Sequence, residues 1–185
     1  MREPDSSALR FFGASEAWAA TLPALARECY LPYYAYLWEP GAMDAYLERV
    51  YAPDTVLAEL RDPNVRFEIA ERAGRAIGFF KLWWRHDHPH ATNAAYLERV
   101  YVSPTAGRGV GTALVARAMH AAADAGRDRI WLRAMDSAVK PIERYRALGF
   151  RDVATEELSL RGMIPAYRGM RALARALETP AGPSR

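Results

Sequence analysis

The chain carries a single cysteine, Cys29, so it cannot form an internal disulfide. Nothing in it asks for an oxidising compartment. It has no apolar run long enough to span a membrane, and its opening, Met-Arg-Glu-Pro-Asp-Ser-Ser, lacks the apolar region of a signal peptide. A cytoplasmic location with no membrane partner is therefore expected. Blocks of like charge are also missing: 25 Lys and Arg are interspersed with 22 Asp and Glu, leaving a formal net charge of +3. That pattern argues against a nucleic-acid partner, which would ask for a clustered basic stripe. A mild positive excess suits an anionic small molecule equally well. Metal-ligand spacing is scarce. The one histidine-rich stretch, His86-Asp87-His88-Pro89-His90, has no cysteine beside it and reads as a solvated hairpin loop, so no metal is expected.

What remains is ordinary globular material, with 51% hydrophobic and 25% charged residues in 185. This is enough for one domain with its own core, expected over 1–178. Residues 1–7 are expected to fray, and the Pro-Gly-Ser segment 179–185 to form a flexible tail. Leu9 to Phe12 reads as a first strand. Ser15, ahead of Glu16 and Ala17, is placed to cap a helix reaching about Arg27, and Pro32 is expected to stop or bend the chain beyond it. The stretch Cys29 to Trp38 holds Tyr30, Tyr33, Tyr34, Tyr36 and Trp38. It reads first as core packing and second as the wall of a pocket for a flat or cationic molecule. Asp44 and Asp54 are read as caps of helices running to Tyr51 and about Leu60. Val65 to Glu71 and Ala76 to Trp84 flank an Ala73-Gly74-Arg75 turn and predict an antiparallel meander. Ala-Tyr-Leu-Glu-Arg-Val-Tyr occurs twice, at 45–51 and 95–101. A preceding cap makes the first copy a helix, and the Val-Ser-Pro exit makes the second a strand.

The chain is organised around Leu97 to Ala125, read as a strand, a glycine loop and a helix. Gly107, Gly109 and Gly111 let the backbone take positive φ and let a bound group approach the amides. The helix beyond offers unpaired N–H groups and the positive end of its dipole, which together favour a phosphate. A P-loop would need Lys and Ser or Thr after its last glycine, but Thr112 and Ala113 stand there. A dinucleotide fingerprint would need glycine at 112 or 114, where Thr112 and Leu114 stand. In the helix, Val110, Leu114, Val115, Ala118, Ala121 and Ala122 share an apolar face that Gly126 closes. Arg129 to Ala134 comes next as a strand parallel to the first, since a helix joins them. Val139 to Leu148 reads as a helix stopped by Gly149, Phe150 to Leu160 as a strand, and Ala166 to Ala174 as either.

Leu97-Glu98-Arg99-Val100-Tyr101-Val102-Ser103-Pro104, then Gly107-Arg108-Gly109-Val110-Gly111, then Glu143-Arg144-Tyr145-Arg146-Ala147-Leu148-Gly149-Phe150 resemble the GNAT superfamily of acetyl-CoA-dependent N-acetyltransferases. The likeness covers about residues 65–155 and is nearest to the branch holding bacterial spermidine and spermine acetyltransferases. The chain departs from the family at Ala106, where Gln or Arg is usual, and at Ala138 and Pro141, where an Asn-x-x-Ala pattern is common. The resemblance implies an α/β fold with a mixed, mostly antiparallel sheet, a parallel βαβ unit for acetyl-CoA, and flanking helices. It implies transfer of an acetyl group to a primary amine, a small molecule or polyamine, by direct attack in a ternary complex. The alternatives are an acetyl-CoA-binding sensor without turnover, or an acetyltransferase of peptide and protein N-termini. A homodimer is left open.

The resemblance places the cosubstrate on Val100, Tyr101, Val102, Gly107, Arg108, Gly109, Val110, Gly111 and Thr112. Arg108 is read as a cation for pyrophosphate, and Tyr145 as general acid toward the departing sulfur. An alkylammonium with pKa about 10.4 must lose a proton at a cost of about 4 to 5 kcal/mol at pH 7. Glu98, the motif glutamate, is the candidate base. Its other reading is a strand carboxylate paired with Arg99 or Arg133. Tyr101 and Trp131 read as core or pocket wall. Carboxylates for a polyamine could come from Glu28, Glu39, Asp44 or Asp87, and the loop 86–90 is the second candidate surface for the amine.

Overall fold

A computed structural model describes residues 8–178. The segments 1–7 and 179–185, expected to fray and to form a tail, lie outside them. Seven strands form one sheet among the described residues: β1 (Arg10–Gly13), β2 (Val65–Arg72), β3 (Arg75–Trp83), β4 (Ala94–Val102), β5 (Arg129–Met135), β6 (Arg151–Glu157) and β7 (Gly169–Ala176). Their order is β1-β2-β3-β4-β5-β7-β6, antiparallel throughout except for β4 and β5. The final segment left open between strand and helix is thus β7, inserted between β5 and β6. Strand alternation sorts the side chains into two layers. Ile77, Phe80, Leu82, Ala95 and Leu97 meet α4 (Val110–Asp124) and α5 (Val139–Ala147). Phe67, Ile69 and Phe79 meet α1 (Leu22–Tyr34), α2 (Ala42–Val50) and α3 (Pro53–Arg61). No helix among the described residues is long and apolar enough to cross a membrane.

The twice-occurring heptapeptide is helix through Val50 at its first copy and strand at its second, as expected, although the cap ahead of the first copy is Gly41 and not Asp44. Helix starts near the N-terminus differ from expectation. Ser15 makes no side-chain cap and leads only into a short 3-10 turn, Glu16–Ala20. The helix proper begins at Leu22, with Pro23 in its first turn, and runs through Pro32 to Tyr34. Proline's missing N–H is harmless at a helix start, and Pro32 falls so near the end that only the last turn loosens, into the 3-10 turn Ala35–Leu37. Asp44 and Asp54 lie inside the first turns of α2 and α3, while Gly41 and Ala52 occupy the cap positions. Asp44 pairs with Arg27 instead, at 2.6 Å.

Two irregularities set up the site. β4 pairs with β5 only over Ala94–Leu97 with Arg129–Leu132, and beyond that the strands part. In the same place the β3–β4 register slips, with Leu97 opposite Leu82 and Arg99 opposite Lys81, so Glu98 is the extra residue of a bulge. The bulge turns Glu98 and Arg99 toward one face. Val100 and Val102 thereby stay on the same face as Leu97.

Candidate active site

Where β4 leaves β5, a cavity of about 920 Å³ passes between the layers. Val100, Val102, Val115 and Tyr145, from the α4/α5 layer, line it together with Cys29, Tyr34, Tyr101 and Ala138 from the α1–α3 layer. The opening therefore runs through the sheet. The Ser103 N–H bonds the carbonyl of Ile77 on β3. Alternation along a strand then sends the Tyr101 N–H the same way, and those of Val100 and Val102 into the gap. Two main-chain donors thus face the cavity where no strand pairs with them.

The glycine loop forms the other wall. Gly107, Arg108, Gly109, Gly111 and Thr112 all line the cavity. Val110 does not, because its side chain is fully buried in the core beneath the loop and anchors the start of α4. Gly107 and Gly109 have φ of 81° and 87°, a region L-residues avoid, and Gly109 is the N-cap of α4. The first N–H groups of α4 are thereby left free for an anion. Ala106 cannot offer a side-chain amide or guanidinium. The Arg72 Nη1, from the end of β2, donates to the Ala106 carbonyl at 2.7 Å and holds the loop from behind.

Tyr145 lies in α5, and its ring meets Phe150 edge-on at 5.9 Å between centroids. Burial pushes its phenol up from the ordinary value, and Tyr34 across the cavity adds to the shift. It is therefore a protonated donor through the physiological range. Tyr101 packs edge-on against Phe79 and Tyr30, both at 5.6 Å, as wall. Trp131 is stacked on Tyr96 at 4.1 Å, far along the sheet.

Glu98 is not brought to Tyr145 or the loop, and it does not line the cavity. Its carboxylate accepts from Trp83 Nε1 at 2.5 Å and pairs with Lys81 Nζ at 2.8 Å and Arg99 Nη2 at 2.9 Å. Lys81 is only 1% exposed and also pairs with Glu59 of α3. Burial by itself raises the Glu98 pKa, but Arg99 and then Lys81 outweigh it, and the carboxyl ends below its usual value. The paired reading is the one this geometry favours, with Arg99 as partner; Arg133 pairs with Glu156. Glu98→Gln should then preserve turnover within a few-fold while lowering stability by roughly 1.5 to 3 kcal/mol, the worth of a hydrogen bond to a charged group. Because the folded pKa is depressed, this contribution is present above the unfolded value and is lost as pH falls through the folded one. Melting curves of wild type and variant should converge in acid. A 10² to 10⁴-fold loss of kcat at unchanged melting temperature would restore Glu98 as the base.

The loop 86–90, the second candidate surface for the amine, also stands apart from the cavity. It lies at the start of β4, about six residues and about 20 Å from Val100 at strand rise. None of its residues lines the cavity. His88 is structural: it is buried, bonds Glu156 at 2.8 Å and packs on Trp131 at 4.7 Å, while His86 and His90 are exposed. Among the described residues no group of three His, Cys, Asp or Glu could hold a metal. The four carboxylates suggested for a polyamine are likewise outside the cavity. Glu28 is paired with Arg75 and accepts from Ser103, Asp44 pairs with Arg27, Asp87 accepts from the Ala94 N–H, and Glu39 is exposed.

Sequence reasoning passed over Lys140 and Arg144, which line the cavity beside the loop. Arg144 Nη1 would stand 3.4 Å from a Cβ added at Gly111, so that glycine admits the guanidinium. Their i, i+4 spacing on one helix, pointing the same way, was the available signal. Ser137 was also passed over; its Oγ is hydrogen-bonded to Tyr36 Oη at 2.7 Å.

Solved structures share this architecture. The PaiA N-acetyltransferase of Thermoplasma acidophilum, in complex with coenzyme A, superposes with a TM-score of 0.72 at 18% identity, covering 91% of this chain and 99% of that one. The ribosomal-protein-S18-alanine N-acetyltransferase of Escherichia coli gives 0.68 at 15%, covering 96% and 99%. A spermidine N-acetyltransferase variant from Vibrio cholerae gives 0.66 at 15%, covering 91% and 93%. At such identities the likeness is one of fold. No curated protein matches the sequence. The family model for GNAT acetyltransferases, however, matches residues 24–150, and with the through-sheet cavity and the glycine loop in place the chain belongs to that acetyltransferase family.

Proposed function

We propose that the protein is an acetyl-CoA-dependent N-acetyltransferase acting on a primary amine of a small molecule, by direct attack with both substrates bound. One observation carries this: the glycine loop at the start of α4 and Tyr145 line the same cavity through the sheet. The residues fit the cosubstrate. Arg108, Lys140 and Arg144 give three cations beside the free amides of α4, a match for phosphates. Acetyl-CoA would supply the activated acyl group, the C–S bond breaking as the C–N bond forms. The N–H groups of Val100 and Val102 are aimed to donate to the carbonyl oxygen as it gains charge. Tyr145 is protonated to donate toward the sulfur.

Direct attack is supported by the state of the one thiol in the cavity. Cys29 is pushed up to about 12 by burial, so it is no nucleophile at neutral pH. The amine itself must attack. With Glu98 paired away, its proton leaves to water at the open mouth, where Tyr33 and Tyr36 are 49% and 42% exposed. A polyamine is the acceptor the strand motif suggests, but the cavity wall favours a different small amine. The test is calorimetry with coenzyme A together with product formation on a panel of amines. Arg108→Ala and Arg144→Ala should each weaken coenzyme A by roughly 10- to 100-fold, as for a lost charge-assisted bond. Binding without turnover on any amine would leave a sensor, and no binding would overturn the reading.

A further inference from the structure

We infer that the acceptor is an arylalkylamine, a primary amine on a short linker to a flat uncharged ring, and not a polyamine or a polypeptide N-terminus. This rests on the proposed transfer reaction and deepens it. On the α1 side of the gap the cavity wall is built from Tyr33, Tyr34, Tyr36, Tyr101 and Ser137. Among the described residues no Asp or Glu lines the cavity. A polyamine carries an ammonium every few carbons. Each of those taken from water into this arm would need a carboxylate, and an unpaired desolvated charge is strongly disfavoured. A ring faces no such demand. The inner walls are fixed, since Tyr34 and Tyr101 lie 6.0 Å apart and Tyr101 is wedged against Phe79 at 5.6 Å. Flat faces held in place bind flat molecules by offset or edge contact.

A different feature argues against a polypeptide. The Tyr36–Ser137 hydrogen bond ties the turn after α1 to the β5–α5 loop, and the Tyr36 ring meets Tyr167 edge-on at 5.1 Å, in the turn before β7. These contacts wall one side of the arm. An extended main chain needs a continuous open groove with backbone donors and acceptors. A small amine needs only the mouth beside Tyr33.

The test uses the full chain. Coenzyme A binding is measured first by calorimetry; then kcat/KM is compared for phenethylamine, tyramine and tryptamine against spermidine, cadaverine and a short peptide with a free alanine N-terminus. At least one arylalkylamine should exceed spermidine and the peptide by 100-fold or more. Tyr33→Ala, at an exposed position that the fold does not depend on, should raise KM for that amine about 10-fold with coenzyme A affinity unmoved. Ser137→Asp, which puts a carboxylate into the arm, should raise kcat/KM for spermidine. Bound coenzyme A with spermidine or the peptide as the better acceptor overturns this inference and leaves the transfer reaction standing. Absent coenzyme A binding removes both.

Discussion

Tyr145→Phe is expected to lower kcat and kcat/KM together by about 10² to 10⁴-fold, the loss typical of a general acid that acts only as the bonds change. Coenzyme A affinity should be little changed. Phenylalanine keeps the ring and its edge-on contact with Phe150, and the packing that holds α5 on the core is apolar there. The melting temperature should therefore barely move. The pH behaviour is set by the direction of the shift. With its folded pKa raised above the ordinary phenol value of about 10, the hydroxyl stays protonated up to and beyond that pH. Loss of activity through this group must lie on the alkaline side. Near wild-type turnover in a Tyr145→Phe preparation would remove the residue from the mechanism, and a fall in melting temperature with the rate preserved would make it a packing residue.

The second large effect is expected at Gly109. A Cβ there meets nothing within 4 Å, so the obstacle to substitution is backbone strain at φ 87° and not a clash. A β-branched residue in that region is a genuine outlier, and strain of roughly 1 to 3 kcal/mol is relieved by turning the peptide. Turning it moves the first amides of α4 away from the cavity. Gly109→Val should thus weaken coenzyme A more than 100-fold while circular dichroism still reports a folded chain. Gly109→Asn, which tolerates the left-handed region better, should retain much of the affinity. Unchanged binding by a folded Gly109→Val protein would place the site elsewhere.

Much of this arrangement is legible in the sequence because it is written in short-range spacing. Gly107 to Gly111 before an apolar stripe, and Gly149 four residues after Tyr145, are local signals of backbone conformation, and the βαβ unit comes from them. Helix starts near Leu22 and Pro53 are obscured for a local reason as well. Polar candidates such as Ser15 and Asp54 draw attention from Pro23 and Pro53, prolines well placed in a first turn. The remainder depends on contacts between distant residues. The sequence offers Arg99 as a partner for Glu98, but nothing near it in the chain announces that Lys81 will turn to it as well, because a one-residue bulge decides the facing. Nor does the stretch 86–90 reveal that strand length carries it to the far end of the sheet. The aromatic stretch divides between its two readings: Tyr30 and Trp38 are buried core, while Tyr33, Tyr34 and Tyr36 face the cavity.

The parallel contact between Ala94–Leu97 and Arg129–Leu132 also has a mechanical meaning. The sheet is two rafts, β1 to β4 on one side and β5 to β7 on the other, stitched along a seam shorter than either facing strand. A molecule lodged in the gap beyond the seam touches both rafts and acts as a splint across this short joint. At a hundredfold excess over its Kd such a splint adds about 2.7 kcal/mol by mass action. That is a sizeable part of the roughly 5 to 15 kcal/mol that usually separates a folded domain from its unfolded chain. Saturating cosubstrate should therefore raise the melting temperature of the whole sheet and not only of the loop that holds it.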